Sequence, residues 1–246
     1  MINSLIIGYG VVGKNLDEEI KALESDIYDK YKRIDGKRNI TYDVAFICVD
    51  TPYTDDRVND IQEVQNALME NEADLFIIKS TILPGTAETL EVVTGKNIVL
   101  SPEYYGSTQH ANNFDFAFTI LGGDQVNTLK AQQILQHCYD ARHKFHHVSF
   151  LEAEIVKYME NSWLGYKVSF MHQFKDICDN HGVPYEKVRE LFILDPRVNP
   201  SHTFVYNDNQ YWSSHCLDKD IPAIAETENA DLLLSLIKFN ETRKNA

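Results

Sequence analysis

The sequence predicts an α/β fold, a doubly wound parallel sheet followed by a smaller all-helical domain built on one long helix. Three observations carry that prediction. Short apolar runs alternate with helical patterns through residues 1–150, a glycine-rich turn directly follows the first run, and one helical periodicity continues unbroken over about 151–181. Alternating strands and helices bury a parallel sheet between helical layers and leave a ligand crevice at the carboxyl ends of the strands.

The first apolar run, Leu5 to Ile7, meets Gly8-Tyr9-Gly10-Val11-Val12-Gly13, and a helical pattern then reaches about Leu23. The next strand, Asp26 to Tyr28, ends on Asp29. Strand, GxGxxG, helix, strand and acid in that order form the dinucleotide fingerprint in its required context. Gly8 allows the tight turn, Gly10 admits a pyrophosphate close to the backbone, and Gly13 lets helix and strand pack. The helix start supplies N–H groups and the positive end of a dipole. Asp29 falls about 20 residues after the first glycine, where a carboxylate accepts from both hydroxyls of an adenosine ribose. A 2′-phosphate would be repelled there, so NAD is the expected cofactor rather than NADP. The basic run Lys30, Lys32 and Arg33 is read as solvated surface charge. Residues 1–150 are thus expected to form a Rossmann-like NAD-binding domain.

Further strands are expected at Val44 to Val49, Leu75 to Lys79, Ile98 to Ser101, Thr119 to Gly122 and Lys144 to Phe150. Helices are expected around Ile61 to Glu70, Thr86 to Val93 and after Gly123. Three loops then sit at strand ends, where function is placed in such sheets: Val49-Asp50-Thr51-Pro52, Lys79-Ser80-Thr81 and Ser101-Pro102-Glu103. Residues 151–246 read as the helical domain. Its long helix, Leu151 to His181, stops at Gly182-Val183-Pro184, and shorter helices follow at Tyr185 to Leu191 and Asp231 to Arg243. Between them, Pro196 to Ser214 reads as a polar loop.

A formal net charge of −14 disfavours nucleic acid and anionic membrane as partners. The apolar start is too short for a membrane span or a secretory leader, and a cytoplasmic location is expected. The four cysteines, Cys48, Cys138, Cys178 and Cys216, form no CxxC pair. Reduced in such a compartment, each is either a buried apolar side chain or a reactive thiol. His143, His146 and His147 have no second ligand cluster beside them, and no metal is expected.

The ordered series GYGVVG, CVDTP, KSTILPGT, SPEYYG, AEIVKYMENSWLGYK, LDPRVNP and HCLDKD resembles the UDP-glucose/GDP-mannose 6-dehydrogenase family over essentially the whole chain. That resemblance implies a small-molecule substrate, a nucleotide sugar, whose primary alcohol is oxidised to the uronic acid with two NAD. It implies Cys216 as the thiol that captures the aldehyde and Lys157 as the cation beside the oxyanion. Asn161 would donate from the same helix face. Asp220 would act with a water as base, Thr81 would bind that water, and Glu103 would assist thioester hydrolysis. It adds Val49, Thr51, Pro52, Ser80, Thr81 and Lys219 to the cofactor contacts, and a homodimer through the long helix. The chain departs from the family in three places. The glycines before the family's cysteine are here Trp212-Ser213-Ser214-His215, Gly106 and Ser107 replace an arginine and a glutamate, and the family's third domain would begin about where this chain stops. Two other readings stand beside this one: a single-hydride dehydrogenase of a smaller hydroxy acid, and a non-catalytic NAD-binding scaffold.

Overall fold

The computed structural model describes residues 2–54, 58–105, 116–206 and 209–245. The chain divides into two compact units, Met1–Thr54 with Asn59–Lys157, and Asp55–Val58 with Tyr158–Ala246.

The first unit is built on an eight-stranded sheet: β1 (Ser4–Ile7), β2 (Asp26–Asp29), β3 (Ile34–Asp35), β4 (Val44–Ile47), β5 (Phe76–Ile78), β6 (Ile98–Leu100), β7 (Phe118–Gly122) and β8 (Lys144–Val148). Their spatial order is β3-β2-β1-β4-β5-β6-β7-β8. Strands β4, β5 and β6 are apolar at every position, and β1 from Leu5 onward, because both faces are covered. Along them alternate residues go to opposite faces. Leu5, Ile7, Ala45, Ile47, Phe76, Ile78, Ile98 and Leu100 enter one core, while Ile6, Val44, Phe46, Leu75, Ile77, Val99 and Leu121 enter the other. Helices α2 (Gln62–Met69) and α3 (Thr86–Thr94) close the first face through Val64, Leu68, Ala87 and Leu90. Helices α1 (Val11–Glu19) and α4 (Gln125–Leu135) close the second through Leu16, Ala131, Ile134 and Leu135.

The doubly wound parallel arrangement is present, with two antiparallel joins added. β3 runs against β2, because the few residues between Asp29 and Ile34 allow a reversal but no crossover helix. β7 meets β6 antiparallel, with Leu100 opposite Gly122, and then pairs parallel with β8. β8 ends at Val148, and Phe150 opens the long helix α5 (Phe150–Asn180) rather than closing the strand. Ser149 caps it: Glu152 Oε2 accepts from the Ser149 amide and hydroxyl, both at 2.7 Å. This is a capping box.

The second unit holds the rest of α5 with α6 (Tyr185–Phe192), α7 (Leu217–Thr227) and α8 (Asp231–Lys244). Met171, Cys178 and Tyr185 form one small core with Val188 and Val205. Trp212, Ile221 and Leu236 form another with Val168, Leu233 and Ile237. Gly165 packs against the second of these, where a Cβ would lie 2.5 Å from Ile221 Cδ1. The sequence reading did not contain α7, whose interior Pro222 lacks one helix N–H. Among the described residues no helix is long and apolar enough to cross a membrane.

His172 lies in this second unit, 2 % exposed, and its Nδ1 has no partner among the described residues. Burial pushes it down to about 4, helped by the Arg243 guanidinium and opposed by Asp176. Folded His172 stays neutral where an unfolded histidine, with an ordinary value of about 6.5, already takes a proton. Stability is therefore lost as pH falls from about 6.5 to about 4, by up to ~3 kcal/mol. Chemical denaturation across that range should show the decline, and His172→Leu should flatten it. An unchanged acid limb in the variant would remove His172 as its cause.

Candidate active site

The glycine turn is fixed by contacts that allow no side chain at two of its three glycines. Gly8 has φ +90, and a Cβ there would sit 2.7 Å from the Cys48 carbonyl oxygen. A Cβ on Gly13 would lie 2.0 Å from the Gly8 oxygen. Gly10 differs, since nothing lies within 4 Å of its Cβ position. Its smallness serves no packing among the described residues. Gly10 is the N-cap of α1 and no side chain caps the helix, so the first helix N–H groups face that open space.

Asp29 closes the other side. Its Oδ2 accepts from the Tyr9 amide at 2.8 Å, and its Oδ1 from the Tyr31 and Lys32 amides at 3.0 and 2.9 Å. Burial alone would raise this carboxyl, but the Lys32, Tyr9 and Tyr31 amides outweigh it and hold it below the usual range. An ionised carboxylate offers about four acceptor positions, so Oδ2 keeps room for a ribose hydroxyl. Lys32 Nζ donates to the Tyr9 carbonyl, so this lysine belongs to the turn and is not merely solvated. The open cradle at Gly10, the uncapped helix start and the ionised Asp29 together fit a dinucleotide. Val11 is exposed and Val12 half-buried beside them.

Two strand-end loops are stapled to each other. Thr51 Oγ1 donates to the Thr81 carbonyl at 2.8 Å, and Ser80 Oγ donates to the Val49 carbonyl at 2.6 Å. Thr51 and Ser80 are buried, Val49 and Thr81 half-buried, and Pro52 exposed. The third loop meets α5. Lys157 Nζ donates to the Glu103 carbonyl oxygen at 2.7 Å and lies 3.8 Å from its carboxylate Oε1. The ammonium is also 5.2 Å from the Tyr104 ring centroid. Lys157 and Glu103 are each 6 % exposed, so this is not the solvated lysine that a helix surface usually carries.

In the second unit Cys216 is the half-buried N-cap of α7. Its carbonyl accepts from the Asp220 amide at 2.9 Å. Asp220 is fully buried; Lys219 Nζ donates to its Oδ1 and Asn161 Nδ2 to its Oδ2, both at 2.7 Å. Asn161 follows Lys157 by one turn of α5. The structure thus brings Lys157 to Glu103, and Asn161 and Lys219 to Asp220. Cys216 stands at a helix N-terminus, whereas burial pushes Cys48 up to about 12 and Cys138 up to about 11. Serines replace the family's glycines here, and both bond to the first turn of α7. Ser214 Oγ accepts from the Leu217 amide at 3.0 Å, and Ser213 Oγ donates to Asp218 at 2.9 Å.

Gly106 and Ser107 lie outside the described residues, as do two residues of the 201–211 loop. Glu154 is a residue whose purpose the sequence reading missed. It is 1 % exposed and accepts from the Gly85 and Ala87 amides at 2.7 and 2.8 Å, capping α3 from the first turns of α5. Its place in the AEIVKYMEN motif was the available signal.

Gly10→Val should abolish NAD binding by calorimetry while leaving the melting temperature nearly unchanged, because the side chain enters open space. Gly13→Val should instead unfold the first unit, since its Cβ has nowhere to go. Retained NAD affinity in Gly10→Val would remove the cradle from the cofactor site.

Residues 7–142 match the model described as "UDP-glucose/GDP-mannose dehydrogenase family, NAD binding domain", and residues 151–242 match the central domain of the same family. A UDP-glucose 6-dehydrogenase of Rickettsia prowazekii is 28% identical over 93% of this chain, and the match spans 56% of that relative. The chain therefore spans little more than half the length of such a relative. The fold is similar to that of a UDP-glucose dehydrogenase from Pyrobaculum islandicum, with TM-score 0.81 and 19% identity over 98% of this chain and 68% of that one. It is also similar to that of a 3-hydroxyisobutyrate dehydrogenase of Mycobacterium tuberculosis, with TM-score 0.68 and 16% identity over 96% and 91% of the two chains. With both of its units matched, the chain belongs to the UDP-glucose/GDP-mannose dehydrogenase family, and its cofactor is NAD.

Proposed function

We propose that the protein oxidises the primary alcohol of a nucleotide sugar to the uronic acid in two successive hydride transfers. The observation that carries this reading is the buried Asn161–Asp220–Lys219 set one turn beyond Cys216 at the start of α7. A single hydride transfer needs a base and a cation but no thiol. The second oxidation needs the aldehyde held covalently.

NAD, when bound, accepts a hydride from the sugar carbon in each half of the reaction. In the first half the alcohol loses its proton to a water on Asp220, and Lys157 stabilises the alkoxide. The Cys216 thiolate then forms a bond to the aldehyde carbon, giving a thiohemiacetal whose oxygen Lys157 and Asn161 stabilise. Loss of the second hydride leaves a thioester. Water, held by Thr81 and activated by Glu103, breaks the carbon–sulfur bond and releases the acid and the free thiol.

The exposed row Met159, Trp163, Tyr166, Phe170 and Phe174 on α5 suits a homodimer. Trp163 and Tyr166 are stacked at 6.1 Å, and Phe170 and Phe174 lie 4.7 Å apart. So large an apolar stripe normally marks an interface, and sedimentation should give twice the chain mass; a monomer at micromolar concentration would contradict it.

Purified protein with UDP- and GDP-sugars should release two NADH per sugar consumed. Cys216→Ser should stop uronic acid formation while NAD affinity stays the same. One NADH per substrate with no dependence on Cys216 would favour the hydroxy-acid reading. NAD binding without turnover on any sugar or hydroxy acid would favour the scaffold.

A further inference from the structure

The Glu103 loop is anchored on its far side by residues that the chemistry above does not use. Tyr105 donates its amide to Glu103 Oε2 at 2.6 Å, which aims the carboxylate. The Tyr105 hydroxyl donates to Glu19 Oε2, and the Tyr139 hydroxyl donates to the other oxygen of the same carboxylate. Glu19 is the last residue of α1, the helix that begins at the glycine turn. On the strand side of the loop, Lys79 Nζ donates to Ser101 Oγ at 3.0 Å, and the Ser101 amide donates to the Ile78 carbonyl at 2.9 Å. Lys157 holds the Glu103 carbonyl from α5. A cavity of about 470 Å³ is bordered by Glu19, Lys79, Glu103, Tyr105 and Tyr139.

We infer that Tyr105 and Glu19 are positioning residues for Glu103, holding its carboxylate in place through the Tyr105 backbone from the carboxyl end of the cofactor-binding helix. The inference rests on the reading of Glu103 given above. Its geometry is selective. A shift of the loop backbone at Tyr105, which the hydroxyl bond to Glu19 opposes, would move the residue 105 amide and release Glu103 Oε2. Burial beside Glu19 pushes both tyrosine hydroxyls well above the ordinary range, so they remain protonated donors. Tyr139 shares the acceptor and braces it by stacking on His143 at 3.7 Å, while His143 Nε2 is 2.8 Å from Thr119 Oγ1.

Tyr105→Phe keeps the ring and removes only the hydroxyl. Loss of one charge-assisted hydrogen bond should loosen the loop by about tenfold. Hydrogen exchange of the 101–105 backbone should therefore speed up about tenfold, with NAD affinity unchanged. The rate of uronic acid release should fall about tenfold without a matching rise in KM. In a Glu103→Gln background Tyr105→Phe should cost nothing further, because its effect passes through that carboxylate. Glu19→Gln retains one acceptor and should be milder than Glu19→Ala. Unchanged exchange in both Tyr105→Phe and Glu19→Ala would overturn the inference, as would an equal loss of rate with Glu103→Gln already present. If the wild-type protein makes no uronic acid, the proposed function fails, and exchange at 101–105 still decides whether Tyr105 and Glu19 hold the loop.

Discussion

The seat of α5 on the sheet is the contact from which the first unit's chemistry takes its geometry. A Cβ on Gly122, the last residue of β7, would lie only 2.5 Å from Ala153 Cβ, so a glycine and an alanine are both needed for the helix to approach. Glu154 then reaches the amides of Gly85 and Ala87. Removing such a cap costs about 0.5–2 kcal/mol, and more when the amides are left buried. With α5 locked against β7 and α3, Lys157 one turn later arrives at the Glu103 carbonyl. The alanine and glutamate of the AEIVKYMEN motif are thus the foundation on which its lysine stands.

The buried carboxylates Asp29 and Asp220 are bound to partners. Both oxygens of Asp220 are occupied, by a lysine and an amide, and both oxygens of Asp29 are occupied by backbone N–H groups. An uncompensated buried charge costs about 3–5 kcal/mol when one partner is lost. Neutral partners such as the backbone amides at Asp29 hold a carboxylate ionised without cancelling its charge. That leaves Asp29 ionised and able to accept a hydroxyl.

Much of this was legible in the sequence because it rests on local pattern. The central strands announce themselves as unbroken apolar runs, and the glycine turn is specified by a strand before it and an acid after it. Lys157 and Asn161 share a helix, so their spacing alone puts them on one face. What was missed depends on partners distant in the chain. The tie from Tyr105 to Glu19 joins residues 86 apart, and nothing local marks Tyr105 as more than an aromatic beside a proline-led turn. The α3 cap by Glu154 joins residues 69 apart at Gly85. Helix α7 was hidden by Pro222 and by serines standing where the family has glycines. The antiparallel β3 is two residues long, below the length at which alternation can be read.

The central claim is that Cys216 carries the sugar between two oxidations. Intact-mass spectrometry of the Glu103→Gln variant with NAD and a UDP- or GDP-sugar tests it directly, because blocking hydrolysis should trap the thioester. The account predicts an added mass of one oxidised nucleotide sugar per chain, mapped by digestion to Cys216 and absent from the Cys216→Ser protein. NADH release with no adduct on Cys216 would contradict it.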